Sequence, residues 1–490
     1  MIRGVVWNLI GMVAVALTML ITIPLFLRYF GAERYGILAT IWVFFGYFSV
    51  LDFGMGPALV NFLAQPDRQD GKAASGVFWT AFIVNAAIGI VVAAMLILGL
   101  LTAQGLGAFS PGPIRDELFR ALPWLLLMLP VSLVYPILVG ALDARHLFGI
   151  ANSNQVVGTI LGQALPLLAI LIVKPTLTVA IAGTVLGRTF SAILLLMVCV
   201  RKLELTGPRF ERPIVRSLMS FGGWVALSSG IGLILDTADR LVIAAMLGGS
   251  AAAWYTISYN VVTRARVLPQ AIARTLYPRV SADPANGAKA LTASARVLAL
   301  LLIPALTAGM VLIDPLCVLW IGTEAAASVV PVARIMMIGI YANCLAYIPL
   351  VLLQAGGTPK RVAKIHLWET PVFLVVMYLA ALHYGVIGAS LAWSARMMVD
   401  TIILLWIAGL RRILVHDVLL QPLVMLAGLA IALLVPGVWT TQMVAVGLLL
   451  VGWAAFDTLI ARRETGQVSL LTIAAWVRSR LKASYMGAAA

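Results

Sequence analysis

The chain has 490 residues, of which 62% are hydrophobic and 11% charged, with a mean hydropathy of +1.04. So few charges cannot cover a water-soluble body of this size, and apolar stretches of membrane-crossing length recur from end to end. The net charge of +15 would suit nucleic acid, but the basic residues gather between the apolar stretches rather than in one patch, which excludes that partner.

In chain order the apolar runs predict fourteen transmembrane helices, at 5–27, 36–62, 75–101, 118–141, 148–173, 177–200, 217–247, 252–276, 291–313, 328–354, 363–382, 386–409, 420–436 and 440–460. The first run is too long for a cleaved signal peptide and passes straight into further spans. With the N-terminus in the cytoplasm, the inner segments collect Arg201, Lys202, Arg209, Arg212 and Arg216, then Lys360, Arg361 and Lys364, then Arg411 and Arg412. The outer loops hold Arg28, Arg34, Arg115, Arg120 and Lys174. That asymmetry places both termini inside by the positive-inside rule. Cys199, Cys317 and Cys344 lie within or at the end of spans with no CxxC spacing, so no disulfide framework, zinc site or other cofactor is expected.

The first half of this series echoes in the second. "RYFGAERYGILA" (28–39) follows span 1, and "AMLGGSAAAWYTIS" (245–258) joins spans 7 and 8. "YPILVGALDARHLFGIAN" (135–152) aligns with "IPLVLLQAGGTPKRVAKI" (348–365), with Pro136 meeting Pro349, and "GKAA" (71–74) echoes "GAKA" (287–290). The shared order argues for a repeat of helices 1–6 as 7–12. An even number of spans per copy makes it a parallel repeat, with two six-helix lobes facing each other across a central cavity. The expected organisation is a lobe at 1–202, a cytoplasmic linker at 203–216, a second lobe at 217–412, helices 13 and 14 at 413–461 and a cytoplasmic tail at 462–490.

Within the spans, ionisable residues are few. Arg188, Arg240, Arg264, Arg266, Arg334 and Arg396 are the candidate cavity cations. A guanidinium can grip phosphate oxygens in pairs, and a wet cavity lined with several would concentrate an anion. The alternative is neutralisation inside the protein, which the i,i+4 spacings of Asp236 with Arg240 and of Arg396 with Asp400 would permit. Arg264, Arg266 and Arg334 have no acid within a helical turn, and Arg264 and Arg266, two apart, cannot share one face. Asp52, Asp239 and Glu369 are the candidate carboxylates for coupling to an ion gradient, with a capping role the alternative for Asp52 in "LDFGMGP". Interior prolines such as Pro24, Pro130, Pro166, Pro304 and Pro371 predict kinks. No Walker A motif and no nucleophile–base constellation occurs, so neither an ATPase nor a catalytic residue is predicted.

"LRYFGAERYGILA" (27–39), "LDFGMGPALVNFLAQ" (51–65), "DRLVIAAMLGGSAAAWYTISY" (239–259) and "LLQAGGTPKRVAK" (352–364) give the chain its family likeness. It resembles, along essentially its whole length, the polysaccharide transporter (Wzx-like oligosaccharide flippase) family, within the superfamily that holds MurJ lipid II flippases and MATE exporters. The resemblance implies a bacterial inner-membrane flippase that moves a polyprenyl-pyrophosphate-linked oligosaccharide between leaflets without covalent chemistry. It implies two rocking lobes, membrane lipid as a partner, and work alongside a polysaccharide polymerase and chain-length machinery. It makes Asp239-Arg240 a helix 7 motif with a partly structural role, and helices 13 and 14 a lipid-groove pair as in MurJ-type proteins. A lipid II flippase is the nearest alternative, and a membrane polymerase or ligase a more distant one.

Overall fold

In hydrocarbon no water is available to the backbone, so long runs of Leu, Ile, Val and Ala close their hydrogen bonds within helices. A computed structural model describes residues 2–48, 55–63, 71–105, 112–145, 147–282, 284–355, 359–435 and 439–463, and among these every element is helical. Ten helices are long and apolar enough to cross a membrane. Contacts divide the chain into two units, Met1–Ala253 and Trp254–Ala490.

The first unit holds α1 (Ile2–Phe30), α2 (Ala32–Phe48), α3 (Met55–Leu63), α4 (Gly71–Gly105), α5 (Pro113–Arg120), α6 (Leu122–Asp143), α7 (Phe148–Ile172), α8 (Leu177–Lys202) and most of α9 (Arg212–Val262). Its core is a cluster of Met55, Leu59, Phe78, Leu133, Ile137, Leu138 and Leu195, drawn from α3, α4, α6 and α8. The segment between α8 and α9 is strapped along α4. Trp79 Nε1 donates to the Thr206 carbonyl at 2.8 Å, Thr206 N–H to Ser75 Oγ at 2.8 Å, and Glu211 N–H to Thr80 Oγ1 at 2.9 Å.

The second unit continues through a 3₁₀ turn (Thr263–Arg266), α10 (Val267–Ala282), α11 (Pro284–Ile321), α12 (Thr323–Ala355), α13 (Pro359–Ile407), α14 (Arg411–Ile413), a π-helical turn (Leu414–Leu420), α15 (Pro422–Leu434) and α16 (Trp439–Arg463). Trp393 and Tyr341 are fully buried, and Trp393 packs edge-on against Tyr259 at 5.8 Å. Val311, Ala432 and Val446 seat α15 and α16 on α11.

Helices run on through Pro24, Pro130, Pro166, Pro304 and Pro371, and break at glycines instead. Gly248 in α9 and Gly385 in α13 hold φ of +86° and +58°, a region open to glycine and strained for other residues. Gly31, between α1 and α2, has φ +85°. The turn after span 1 and the turn after span 7, matched in the sequence, thus share the same left-handed glycine. A Cβ on Gly36 of α2 would meet the carbonyl oxygen of Gly249 in α9, so these helices touch backbone to backbone.

Candidate functional site: cations and carboxylates within the helices

In the first unit, Arg188 projects from the middle of α8 and is exposed, with no salt bridge among the described residues. A guanidinium facing hydrocarbon there would cost several kcal/mol. One turn on, Ser191 Oγ and Tyr135 OH both donate to Asn154 Oδ1, at 2.9 and 3.1 Å, and build a polar patch from α6, α7 and α8. Arg240 is held by its own helix. Its NH2 donates to the Asp236 carbonyl at 2.9 Å, and its backbone N–H donates to Oδ1 of fully buried Asp239 at 2.8 Å. Spacing suggested a carboxylate–guanidinium pair between Asp236 and Arg240; Arg240 takes the Asp236 backbone oxygen, and Asp239 Oδ1 lies 3.8 Å from its Nε. Asp52 lies outside the described residues.

In the second unit, Arg264 and Arg266 sit on the 3₁₀ turn and diverge, as two residues two apart must. Arg264 is exposed. Arg266 folds back on Tyr259, donating to its hydroxyl at 3.3 Å with the guanidinium 5.8 Å from the ring centre. Arg334 is buried: its Nε donates to the Met310 carbonyl at 2.7 Å, and Asp314 lies 3.8 Å away. No acid neighbours Arg334 in its own helix; α11 supplies one across the helix interface.

The two arms of α13 pair across the Gly385 break. Arg396 Nε donates to Glu369 Oε1 at 2.8 Å, and His366 Nε2 lies 3.4 Å from Asp400 Oδ1. The antiparallel arms thus give Arg396 a closer acid than Asp400, which stands one turn along the same arm. His366, Glu369 and Asp400 also form a group whose donor atoms all lie within 4.8 Å of one another. With Arg396 already on Glu369, the arrangement is an ion-paired quartet rather than an open cation cage. Glu369 Oε2 is buried with no hydrogen-bond partner among the described residues.

Sequence reasoning did not single out two further groups. Arg296, Asp417 and Asp457 form a buried network between α11, the π-helical turn and α16. Outside the spans, Arg34 grips Glu117 with Nε and NH2, at 3.1 and 2.7 Å, while Leu177 N–H donates to the same carboxylate at 2.7 Å. Burial pushes the Glu117 carboxyl up, but the Arg34 and Leu177 hydrogen bonds and the charges of Arg34 and Arg120 outweigh it and leave it below its ordinary value. The same hydrogen bond raises Arg34. This clamp ties α2, α5 and α8 together at one end. Its partners are 83 and 60 residues apart in sequence, so no local spacing reveals it.

Fold and site together define a class: an all-helical, multi-pass membrane protein with arginines and carboxylates set into its spans. Residues 1–282 match the family model described as polysaccharide biosynthesis protein. The chain belongs to that family. It is 23% identical over 413 residues to a Shigella flexneri protein named "Putative O-antigen transporter", covering 83% of this chain and 97% of that one. Among solved structures, it resembles the lipid II flippase MurJ in an inward closed conformation, with TM-score 0.74, 14% identity and coverage of 94% of this chain and 100% of that one. It also resembles an inward-facing MATE family multidrug resistance transporter of the MOP superfamily, with TM-score 0.66, 15% identity and coverage of 82% and 98%. At these identities the solved structures speak for the fold alone.

Proposed function

We propose that this protein is a flippase that moves polyprenyl-pyrophosphate-linked oligosaccharide, the repeat unit of an O-antigen, capsule or exopolysaccharide, from the cytoplasmic to the periplasmic leaflet of a bacterial inner membrane. Family membership and the O-antigen transporter relative support the cargo class. The observation that carries the mechanism is Arg188, exposed within a span and without a salt bridge among the described residues. A guanidinium at that depth calls for an anion, and a pyrophosphate supplies one in bidentate form. On this reading Arg188 grips the pyrophosphate, and Arg264 is a further candidate cation for the cargo. Arg240, Arg266, Arg334 and Arg396 keep their neighbours in place and shape the local field.

The ten candidate spans become fourteen crossings when α9 and α13 each cross twice about their glycine breaks and α1 and α2 cross once each. Both termini are cytoplasmic, and the step breaks no covalent bond. Coupling to an ion gradient is assigned to Glu369, with Asp239 and Asp52 as further candidate carboxylates.

In cells lacking the protein, polyprenyl-pyrophosphate oligosaccharides are to be quantified leaflet by leaflet. Complete repeat units accumulating on the cytoplasmic side, with loss of surface polymer, are the expected result. Units reaching the outer leaflet but remaining unpolymerised would overturn it in favour of a membrane polymerase or ligase. The MurJ-like fold favours one second reading, translocation of a peptidoglycan precursor. Rescue of MurJ-depleted cells by this chain would select it.

A further inference from the structure

The charges buried beneath the last two helices do not balance. Arg296 of α11 is flanked by two carboxylates: NH1 donates to Asp417 Oδ1 at 2.9 Å, and NH2 donates to Asp457 Oδ1. Arg296, Asp417 and Asp457 are 6%, 5% and 1% exposed, so water does little to screen the excess negative charge. The neutral neighbours are committed elsewhere. Gln421 Nε2 donates to Asp457 Oδ1 at 3.3 Å, Trp453 Nε1 donates to Gln421 Oε1 at 3.2 Å, and Tyr341 OH donates to the Asp417 backbone oxygen at 2.6 Å. Asp457 Oδ2 is buried with no hydrogen-bond partner among the described residues. Leaving a buried carboxylate oxygen bare costs more than protonating it.

We propose that this cluster binds one proton, carried on Asp457 Oδ2, and that His416 is its point of entry. His416 lies at the rim with its side chain 21% exposed, and its Nδ1 is 3.0 Å from both Arg296 NH1 and Asp417 Oδ1. Among the described residues, the other ionisable groups nearby are Tyr341 and, beside it, Cys344, both of α12. With the proton bound, one guanidinium faces one carboxylate and one carboxylic acid, and the net charge is zero. Without it a net negative charge is sealed between α11 and α16, which weakens the seating of the C-terminal helix pair. A metal ion is a poor substitute. Arg296 already stands between the two carboxylates, and these residues are not among the described groups whose donors converge closely enough to hold a metal.

The site is separate from the arginines assigned to cargo, and its test needs no transport. Full-length protein in lipid is to be titrated with pH by difference infrared spectroscopy of the protonated-carboxyl C=O stretch. A protonated-carboxyl band at neutral pH is expected in the wild type that is lost in Asp457→Asn, retained in Glu369→Gln, and shifted in pH midpoint in His416→Gln. Asp457→Asn copies the protonated form in shape and charge and is expected to fold. No protonated-carboxyl band in the wild type at neutral pH would overturn the proposal without reference to a variant. A neutral-pH band left undiminished by Asp457→Asn would overturn it equally.

Discussion

Replacing Arg396 with Met strands the Glu369 carboxylate. The two groups are 2.8 Å apart, and their side chains are 8% and 10% exposed. At an effective dielectric of about 20, unit charges at that distance attract by roughly 6 kcal/mol. Desolvation offsets most of this, so the intact pair contributes little net stability. The single change removes the attraction but not the desolvation, at a cost of about 3–5 kcal/mol. Asp400 sharpens the effect: its donor atom lies within 4.8 Å of Glu369's, a repulsion of roughly 3 kcal/mol on the same scale once Arg396 is gone. Changing Glu369→Leu together with Arg396→Met is therefore expected to recover most of the loss, giving a coupling of several kcal/mol in a double-mutant cycle. Reversible unfolding in mixed micelles measures all four corners of the cycle. An Arg396→Met protein within about 0.5 kcal/mol of wild type, or two changes that simply add, would refute the account of a buried compensated pair.

Arg188→Gln and Arg264→Gln are each expected to reduce translocation at least tenfold while thermal stability in detergent stays at the wild-type level; a parallel fall in stability would make them structural instead. Gly36→Val drives a side chain into the Gly249 carbonyl, which cannot rotate away, so a loss of about 1–3 kcal/mol or more is expected in the same unfolding assay. Arg334→Gln forfeits the buried bond to the Met310 carbonyl and is expected to cost about 1.5–3 kcal/mol. The Arg34–Glu117 clamp gives a pH signature. Because the folded carboxyl lies below its ordinary value, its contribution is complete above the unfolded value and fades as pH falls through the folded one. Stability measured from neutral into acid pH is therefore expected to fall less steeply in Glu117→Gln than in wild type.

Helices were legible because an apolar run of membrane length has no other stable form, and the two matched turns were legible from their glycines: Gly31 and Gly248 hold nearly the same φ. Charge partners were not legible. The i,i+4 rule pointed Arg396 at Asp400 and left Arg334 without an acid, yet each found its partner on another helix or another arm. Spacing along one helix says nothing about what an antiparallel neighbour presents. The Arg296 network was hidden for the same reason, its carboxylates being 121 and 161 residues away.

The break at Gly385 also bears on how the chain enters the bilayer during synthesis. The arms on either side carry Glu369 and Arg396 to the same level, and His366 and Asp400 to another, with no long polar loop between them. Inserted one after the other, each arm would bring uncancelled charge into hydrocarbon. Inserted as a closed hairpin, they present matched charges to each other and apolar side chains such as Val372, Val375 and Leu379 outward. The glycine turn thereby favours a route of assembly in which the pair is neutralised before lipid is met, and the insertion machinery handles two crossings as one unit.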